Sequence, residues 1–216
     1  MQITIFGAAG LVGKRLCDQA LALGWRVIAF DRKIEQWLDK DVVTPNLEVI
    51  KGYMMDATGV AKAIEGSSAI FMVLTGNQES GDKSRSIGCK NILAAMQEQK
   101  VQRLLVLGNY GVLPNETGGY LFENTEFPAE LKETSQQYAQ VWELLKKSAV
   151  QYTMVCTGKI EDAPEGRAYI TAVNAVPDSG IPSIQAGDLA RFLLREVTAN
   201  EWIGKRVGIQ NCSRIV

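Results

Sequence analysis

An α/β fold, with a doubly wound and mainly parallel sheet covered by helices on both faces, is predicted by three features of this sequence. Short apolar runs alternate along the chain with longer amphipathic ones, the pattern of repeated strand–helix–strand units. The first apolar run, Ile3–Phe6, passes straight into Gly7, Gly10 and Gly13 and then into a helical pattern. The run Ala69-Ile-Phe-Met-Val-Leu74 is apolar throughout, as a strand buried on both faces must be.

The elements follow in order. The first helix carries Val12, Leu16, Ala20 and Leu23 along one side, and the second strand is Arg26-Val-Ile-Ala-Phe30, ending in Asp31-Arg32-Lys33. A polar stretch containing Trp37, Leu38 and Pro45 leads to a third strand, Leu47-Glu-Val-Ile50. Gly52 to Asp56 then make a turn, and Val60 to Ile64 a short helix ended by Gly66. The fourth strand, 69–74, runs into Thr75-Gly76-Asn77 and a helix over about Ser84 to Lys100. Arg103-Leu-Leu-Val-Leu107 is the fifth strand, followed by Gly108-Asn109-Tyr110-Gly111. Residues 113–130 have no clear period and are expected to form a loop over the site. A helix over about Leu131 to Ser148 places Tyr138, Val141, Trp142 and Leu145 on one face, and Tyr152–Cys156 is the sixth strand. Residues 159–182 read as irregular, with a short strand at Ala168 to Val173. Ala186, Leu189, Ala190, Leu193 and Val197 mark a last helix, and Arg206-Val-Gly-Ile209 a last strand.

The glycine turn carries chemistry. Gly7 permits a tight turn, Gly10 lets a ligand approach the backbone, and Gly13 lets the helix lie close to the strand. Unpaired N–H groups at the helix start, with the positive end of its dipole, suit a pyrophosphate. Asp31-Arg32 stands where the ribose-reading residue of a dinucleotide site is expected. Ligands of such sheets lie beyond the carboxyl ends of the strands, so the turns at 7–13, 31–33, 52–57, 75–77, 108–111 and 157–160 should converge.

Composition narrows the chemistry further. At 216 residues and 46% hydrophobic, the chain is expected to be one domain, residues 1–216, with a full core. A net charge of −1 gives no electrostatic case for nucleic acid or an anionic membrane. No apolar run approaches the ~20 residues of a membrane helix, and the first strand starts at Ile3, so the cytoplasm is the expected location. The absence of histidine excludes a Ser-His-Asp triad, a histidine base and histidine-containing zinc sites. Cys17, Cys89, Cys156 and Cys212 lack the paired spacing of a metal knuckle and are expected to be buried free thiols, so no metal is predicted.

Gly7-Ala-Ala-Gly10-Leu-Val-Gly13, Asp56 in Gly52-Tyr-Met-Met-Asp56, Leu74-Thr-Gly76-Asn77, Asn91-Ile-Leu-Ala-Ala, Thr157-Gly158-Lys159-Ile160 and Ile184-Gln-Ala-Gly-Asp188-Leu-Ala together resemble one family over nearly the whole chain. It is the atypical short-chain dehydrogenase/reductases with an NAD(P)H-binding domain of the Rossmann type, and the sequence resembles most the biliverdin-IXβ reductase/flavin reductase branch. The resemblance implies cofactor contacts from Gly7, Ala9, Gly10, Leu11, Val12, Gly13, Asp31, Arg32, Asp56, Ala57, Leu74, Thr75, Gly76 and Asn109, with Ala9 where threonine is commoner. Arg32 falls on the arginine that meets the 2′-phosphate of NADP, and Asp56 on the aspartate near the adenine. The substrate site falls to the C-terminal half.

Departures from the family pattern are as informative. Its usual proton relay is a serine with Tyr-x-x-x-Lys, yet four residues beyond the six tyrosines stand Ala57, Pro114, Asn124, Trp142, Cys156 and Val173. Asn109 replaces the strand-five serine, and Tyr138 and Lys159 occupy positions where the branch has site residues. Asn109, Tyr138 and Lys159 are therefore the catalytic candidates. Tyr138 also belongs to an apolar helix stripe, and Lys159 also reads as a solvated loop lysine. The implied activity is hydride transfer from NAD(P)H to a planar conjugated acceptor (flavin, quinone or open tetrapyrrole) able to take its proton from solvent. The rival is a non-catalytic redox sensor acting through a protein partner, as in NmrA-like relatives. Asp31 favours ribose hydroxyls, whereas Arg32 and Lys33 attract a 2′-phosphate; branch resemblance makes NADP the expected cofactor, and NAD the one if Asp31 reads the ribose. The expected partner is a small aromatic acceptor, and the expected state a monomer or small homo-oligomer.

Overall fold

The order of strands in one eight-stranded sheet decides where a ligand can sit. The computed structural model describes residues 1–35, 44–75, 83–178 and 181–212; Trp37, Leu38, Gly76 and Asn77 lie outside them. The strands are β1 (Gln2–Phe6), β2 (Arg26–Asp31), β3 (Leu47–Lys51), β4 (Ala69–Met72), β5 (Arg103–Asn109), β6 (Gln151–Thr157), β7 (Lys159–Glu161), β8 (Tyr169–Val173), β9 (Ser183–Gln185) and β10 (Lys205–Asn211). Among the described residues the helices are α1 (Leu11–Ala22), α2 (Ala57–Ile64), α3 (Ser84–Gln99), α4 (Ala129–Lys146) and α5 (Ala186–Ala199). The chain builds outward from β1 through β2 to β3, then returns to lay β4 on the other side of β1. That reversal makes a crevice at the β1/β4 carboxyl ends, the switch point of a doubly wound sheet. The full order is β3-β2-β1-β4-β5-β6-β10-β8, and among the described residues only β8 runs antiparallel in this sheet, against β10.

Two apolar layers flank the sheet, as alternate strand residues require. Phe6, Ile28, Phe30, Ile70, Met72, Leu104, Val106 and Met154 face α2, α3 and α4. Ile3, Ile5, Val27, Phe71, Leu105, Leu107, Val155 and Val207 face α1 and α5.

Some sequence expectations are corrected. Leu23 does not continue the buried stripe of α1: it is the C-cap residue and 58% exposed, because Gly24 at φ +74° ends the helix there. The expected irregular stretch 159–182 begins with β7, which pairs in parallel with β9 as a separate two-stranded ribbon. Three-residue strands carry too little periodicity to be read from sequence. Residues 113–130 follow one 3₁₀ turn (Tyr110–Val112), contain a second (Leu121–Glu123) and are pinned by buried Leu113 and Phe127, the latter's ring tilted at 39° and centred 5.0 Å from that of Tyr110. Among the described residues no helix is long and apolar enough to cross a membrane.

Cys17, Cys89 and Cys156 are buried, and burial pushes the Cys89 and Cys156 thiols up to about 12 and Cys17 upward as well. Thiolate is the reactive form, so these three are expected to resist iodoacetamide in the native protein while the partly exposed Cys212 reacts. Peptide mass spectrometry after brief labelling at pH 8, with and without denaturant, checks this; native labelling of Cys156 at the rate of Cys212 would contradict it.

Candidate functional site

The turn after β1 is built almost wholly from backbone. Gly7 adopts φ +90°, and a Cβ there would lie 2.7 Å from the carbonyl oxygen of Val73, the residue just past β4. A Cβ on Gly13 would lie 2.1 Å from the Gly7 oxygen, so glycine is what allows α1 to start against the turn. Within the turn, the Gly7 and Ala8 N–H groups donate to the Phe30 carbonyl at 3.0 and 3.3 Å, and Gly10 N–H to Gly7 at 3.0 Å. The start of α1 has no side-chain cap and no acidic residue in its first turn. Its amides and dipole therefore offer an anion site at the switch point, of a kind that suits a phosphate group. Thr75, from the turn after β4, closes the other wall: its Oγ1 would be 2.8 Å from a Cβ on Gly10.

The end of β2 is tied to that turn. Asp31 accepts from Lys33 N–H at 2.8 Å through Oδ1 and from Ala9 N–H at 3.4 Å through Oδ2. Its carboxylate is thus held at the rim of the glycine turn, beside exposed Arg32. Asp56 caps α2 by accepting from Thr58 N–H at 3.1 Å, with Ala57 as the first helical residue. Both lie on the same sheet edge as the glycine turn, since β1, β2 and β3 are parallel. Gly76 lies outside the described residues.

Asn109 ends β5, aligned with Thr157 at the end of β6. Its Nδ2 donates to Ser135 Oγ on α4 at 2.8 Å, and Ser135 in turn donates to the Leu131 carbonyl at 2.7 Å. Tyr138, one turn further along α4 and 5% exposed, donates its hydroxyl to the Leu74 carbonyl at 2.9 Å. The Arg85 guanidinium sits 4.8 Å over its ring. Asn109 and Tyr138 thus each tie α4 to a strand end at the carboxyl edge. Lys159 stands apart: its side chain is 72% exposed and lies 3.6 Å from Glu161 in the β7–β9 ribbon. The sequence reading did not single out the side chains of Ser135 and Thr157. Ser135 was detectable as a polar residue on the buried stripe Ser135, Tyr138, Trp142, Leu145 of α4. Among the described residues no cluster of acidic or cysteine side chains could hold a metal ion.

A family model described as NAD(P)H-binding matches residues 7–200. Among curated proteins, an uncharacterized chloroplastic protein of Arabidopsis thaliana is 24% identical over 203 residues, covering 91% of this chain and 70% of its own length. A bovine (Bos taurus) sterol-4-alpha-carboxylate 3-dehydrogenase, decarboxylating, is 27% identical over 115 residues; the match covers 51% of this chain and only 31% of that enzyme. Among solved structures, a Streptococcus pneumoniae protein provisionally described as an NADH-flavin reductase superposes with a TM-score of 0.81 at 21% identity, covering 98% of this chain and all (100%) of that one. A Veillonella parvula short-chain dehydrogenase/reductase solved in complex with NADP superposes with a TM-score of 0.78 at 15% identity, covering 97% and 94%. At these identities the structural likeness speaks for the fold alone.

Proposed function

The chain belongs to the NAD(P)H-binding family, and from that premise we propose that it is an NAD(P)H-dependent reductase of a planar conjugated acceptor, such as a flavin, a quinone or an open tetrapyrrole. The observation that carries the reading is the uncapped glycine turn at the β1/β4 switch point, with the Asn109 carboxamide one strand beyond β4 on the same edge. Gly7 to Gly13, Asp31, Arg32, Asp56, Ala57, Leu74, Thr75 and Asn109 would hold the cofactor. When bound, the dihydronicotinamide supplies a hydride.

The residues argue for the acceptor class. No tyrosine here has a lysine four residues on, and the Tyr138 proton is directed at a backbone carbonyl. A ketone would leave an alkoxide needing a positioned acid, whereas a reduced flavin, quinone or bilin spreads its charge and can take a proton from water. The chemistry expected of these residues is therefore binding and orientation. Steady-state oxidation of NADPH and NADH with FMN, riboflavin, quinones and biliverdin isomers tests the proposal. Tight cofactor binding with no turnover of any acceptor would overturn it in favour of a redox sensor that signals through a protein partner.

Asp31 and Arg32 act in opposite senses on cofactor choice. Replacing Arg32 by alanine is expected to weaken NADPH by about tenfold, through loss of a charge-assisted contact to the 2′-phosphate, with NADH nearly unchanged. Asp31→Ser removes repulsion and is expected to strengthen NADPH while weakening NADH. Dissociation constants of both reduced cofactors for the wild type and each variant decide. NADPH binding unmoved by Arg32→Ala, with NADH binding abolished by Asp31→Ser, would make this an NAD protein.

A further inference from the structure

Two polar atoms at the β5/β6 carboxyl ends are buried and have no hydrogen-bond partner among the described residues: Asn109 Oδ1 and Thr157 Oγ1. Thr157 as a whole is 1% exposed. Interiors rarely leave such atoms unpaired, because the lost hydration is not replaced. The two residues are direct neighbours across parallel strands, and such neighbours project to the same face of the sheet.

The orientation of the Asn109 amide follows from proton counting. Ser135 has one hydroxyl proton and gives it to the Leu131 carbonyl, so towards Asn109 its oxygen can only accept. The amide nitrogen of Asn109 must therefore face Ser135, which turns Oδ1 the other way as an obligate acceptor. Gly111 makes room for this arrangement, since a Cβ there would lie 2.4 Å from Ser135 Oγ and 2.7 Å from the Phe127 ring. The Thr157 hydroxyl, at the paired position on the neighbouring strand and not bonded to that oxygen, is able to donate. An acceptor next to a donor is the complement of an amide edge, an N–H beside a C=O.

We propose that Ser135 is a positioning residue that presents Asn109 Oδ1 forward, and that Asn109 and Thr157 together form a subsite for an amide edge. The inference rests on the NAD(P)H-dependent reading above and deepens it. Two molecules could bring this edge: the cofactor, through its nicotinamide carboxamide, or the acceptor, through the imide of a flavin. A quinone has no N–H to offer.

The test is equilibrium binding to matched pairs, read by fluorescence titration. One pair is NADPH against its reduced 3-acetylpyridine analogue, which has a methyl where the carboxamide has NH₂. The other is riboflavin against N3-methylated riboflavin, each titrated into NADP-saturated protein. Wild type is expected to bind the member lacking the N–H about tenfold more weakly in one of the two pairs, because a site built around a hydrogen bond rejects the analogue without it. The pair that discriminates identifies the source of the edge. In Asn109→Leu and Ser135→Ala the discrimination is expected to fall to within about twofold. A Ser135 that merely supported the fold would weaken both members alike and leave the ratio intact, which would remove its positioning role. Equal dissociation constants within both pairs in wild type would overturn the subsite, a comparison that needs no variant to fold. That failure is separable from failure of the reductase reading, which would appear as absent turnover whatever these ratios are.

Discussion

A Gly10→Val protein is expected to fold and to lose both reduced cofactors, with dissociation constants raised by on the order of 100-fold, a cost of about 3 kcal/mol. Gly10 has φ −74° and ψ 170°, ordinary extended backbone that any residue adopts, so the substitution carries no conformational strain. Its Cβ would approach Thr75 Oγ1 at 2.8 Å, which a small shift of Thr75 relieves, and the Gly7 carbonyl oxygen at 3.2 Å, which needs a few tenths of an ångström of give. The two methyls would then occupy the groove between the start of α1 and the β4 turn, over the uncapped amides. Gly13 is the wrong place for this test. A Cβ there meets backbone of Gly7 and Ala8 at 2.1 to 2.8 Å, and the loss of binding would only report a broken turn. Circular dichroism and thermal unfolding establish that Gly10→Val is folded; titration with NADPH and NADH then decides. Unchanged affinity in the folded variant would remove the central claim about this site.

The largest effect on stability is expected at Glu196, whose side chain is fully buried against the nearly buried Arg103. Arg103 Nη2 donates to Glu196 Oε1 at 2.7 Å and to Thr153 Oγ1 at 2.9 Å, and Nη1 to the Gln151 carbonyl at 2.9 Å. The Glu196 carboxylate also accepts from the N–H groups of Glu201 and Trp202, at 3.1 and 3.0 Å. One carboxylate thereby joins β5, β6, α5 and the turn into β10. Glu196→Ala leaves a guanidinium buried without its counter-charge, and two backbone donors without an acceptor. The expected cost is about 3–5 kcal/mol in urea unfolding. The double variant Arg103→Met/Glu196→Leu is expected to cost much less than the sum of the two single changes, because no lone charge remains. Strict additivity, or a loss below about 1 kcal/mol for Glu196→Ala, would show that the pair is not the fastening inferred here.

Much of this was legible in the linear chain. The alternation of apolar runs, the triple glycine and the fully apolar fourth run follow from local rules: side-chain period, the steric freedom of glycine and the need to bury strands covered on both faces. They led to a parallel sheet with helices on both sides and a glycine turn at its carboxyl edge. The same local rules located Asp31 and Asn109 at strand ends and Asp56 in the turn after the third strand; that this turn ends in a helix starting at Ala57, three residues earlier than expected, was decided by the fold. What they could not supply were contacts between residues far apart in sequence. Asn109 and Ser135 are 26 positions apart, and Arg103 and Glu196 are 93 apart. Nothing in the neighbourhood of either partner encodes the other. The direction of the Asn109 amide depends on where the Ser135 proton goes, and that depends on one turn of α4 packed against the end of β5. The Tyr138 hydroxyl likewise finds Leu74 only once α4 lies against the sheet. Local chemistry determined the elements and the turn; hydrogen-bond direction and charge pairing were decided by tertiary packing, because each needs a partner that only the folded chain brings within reach.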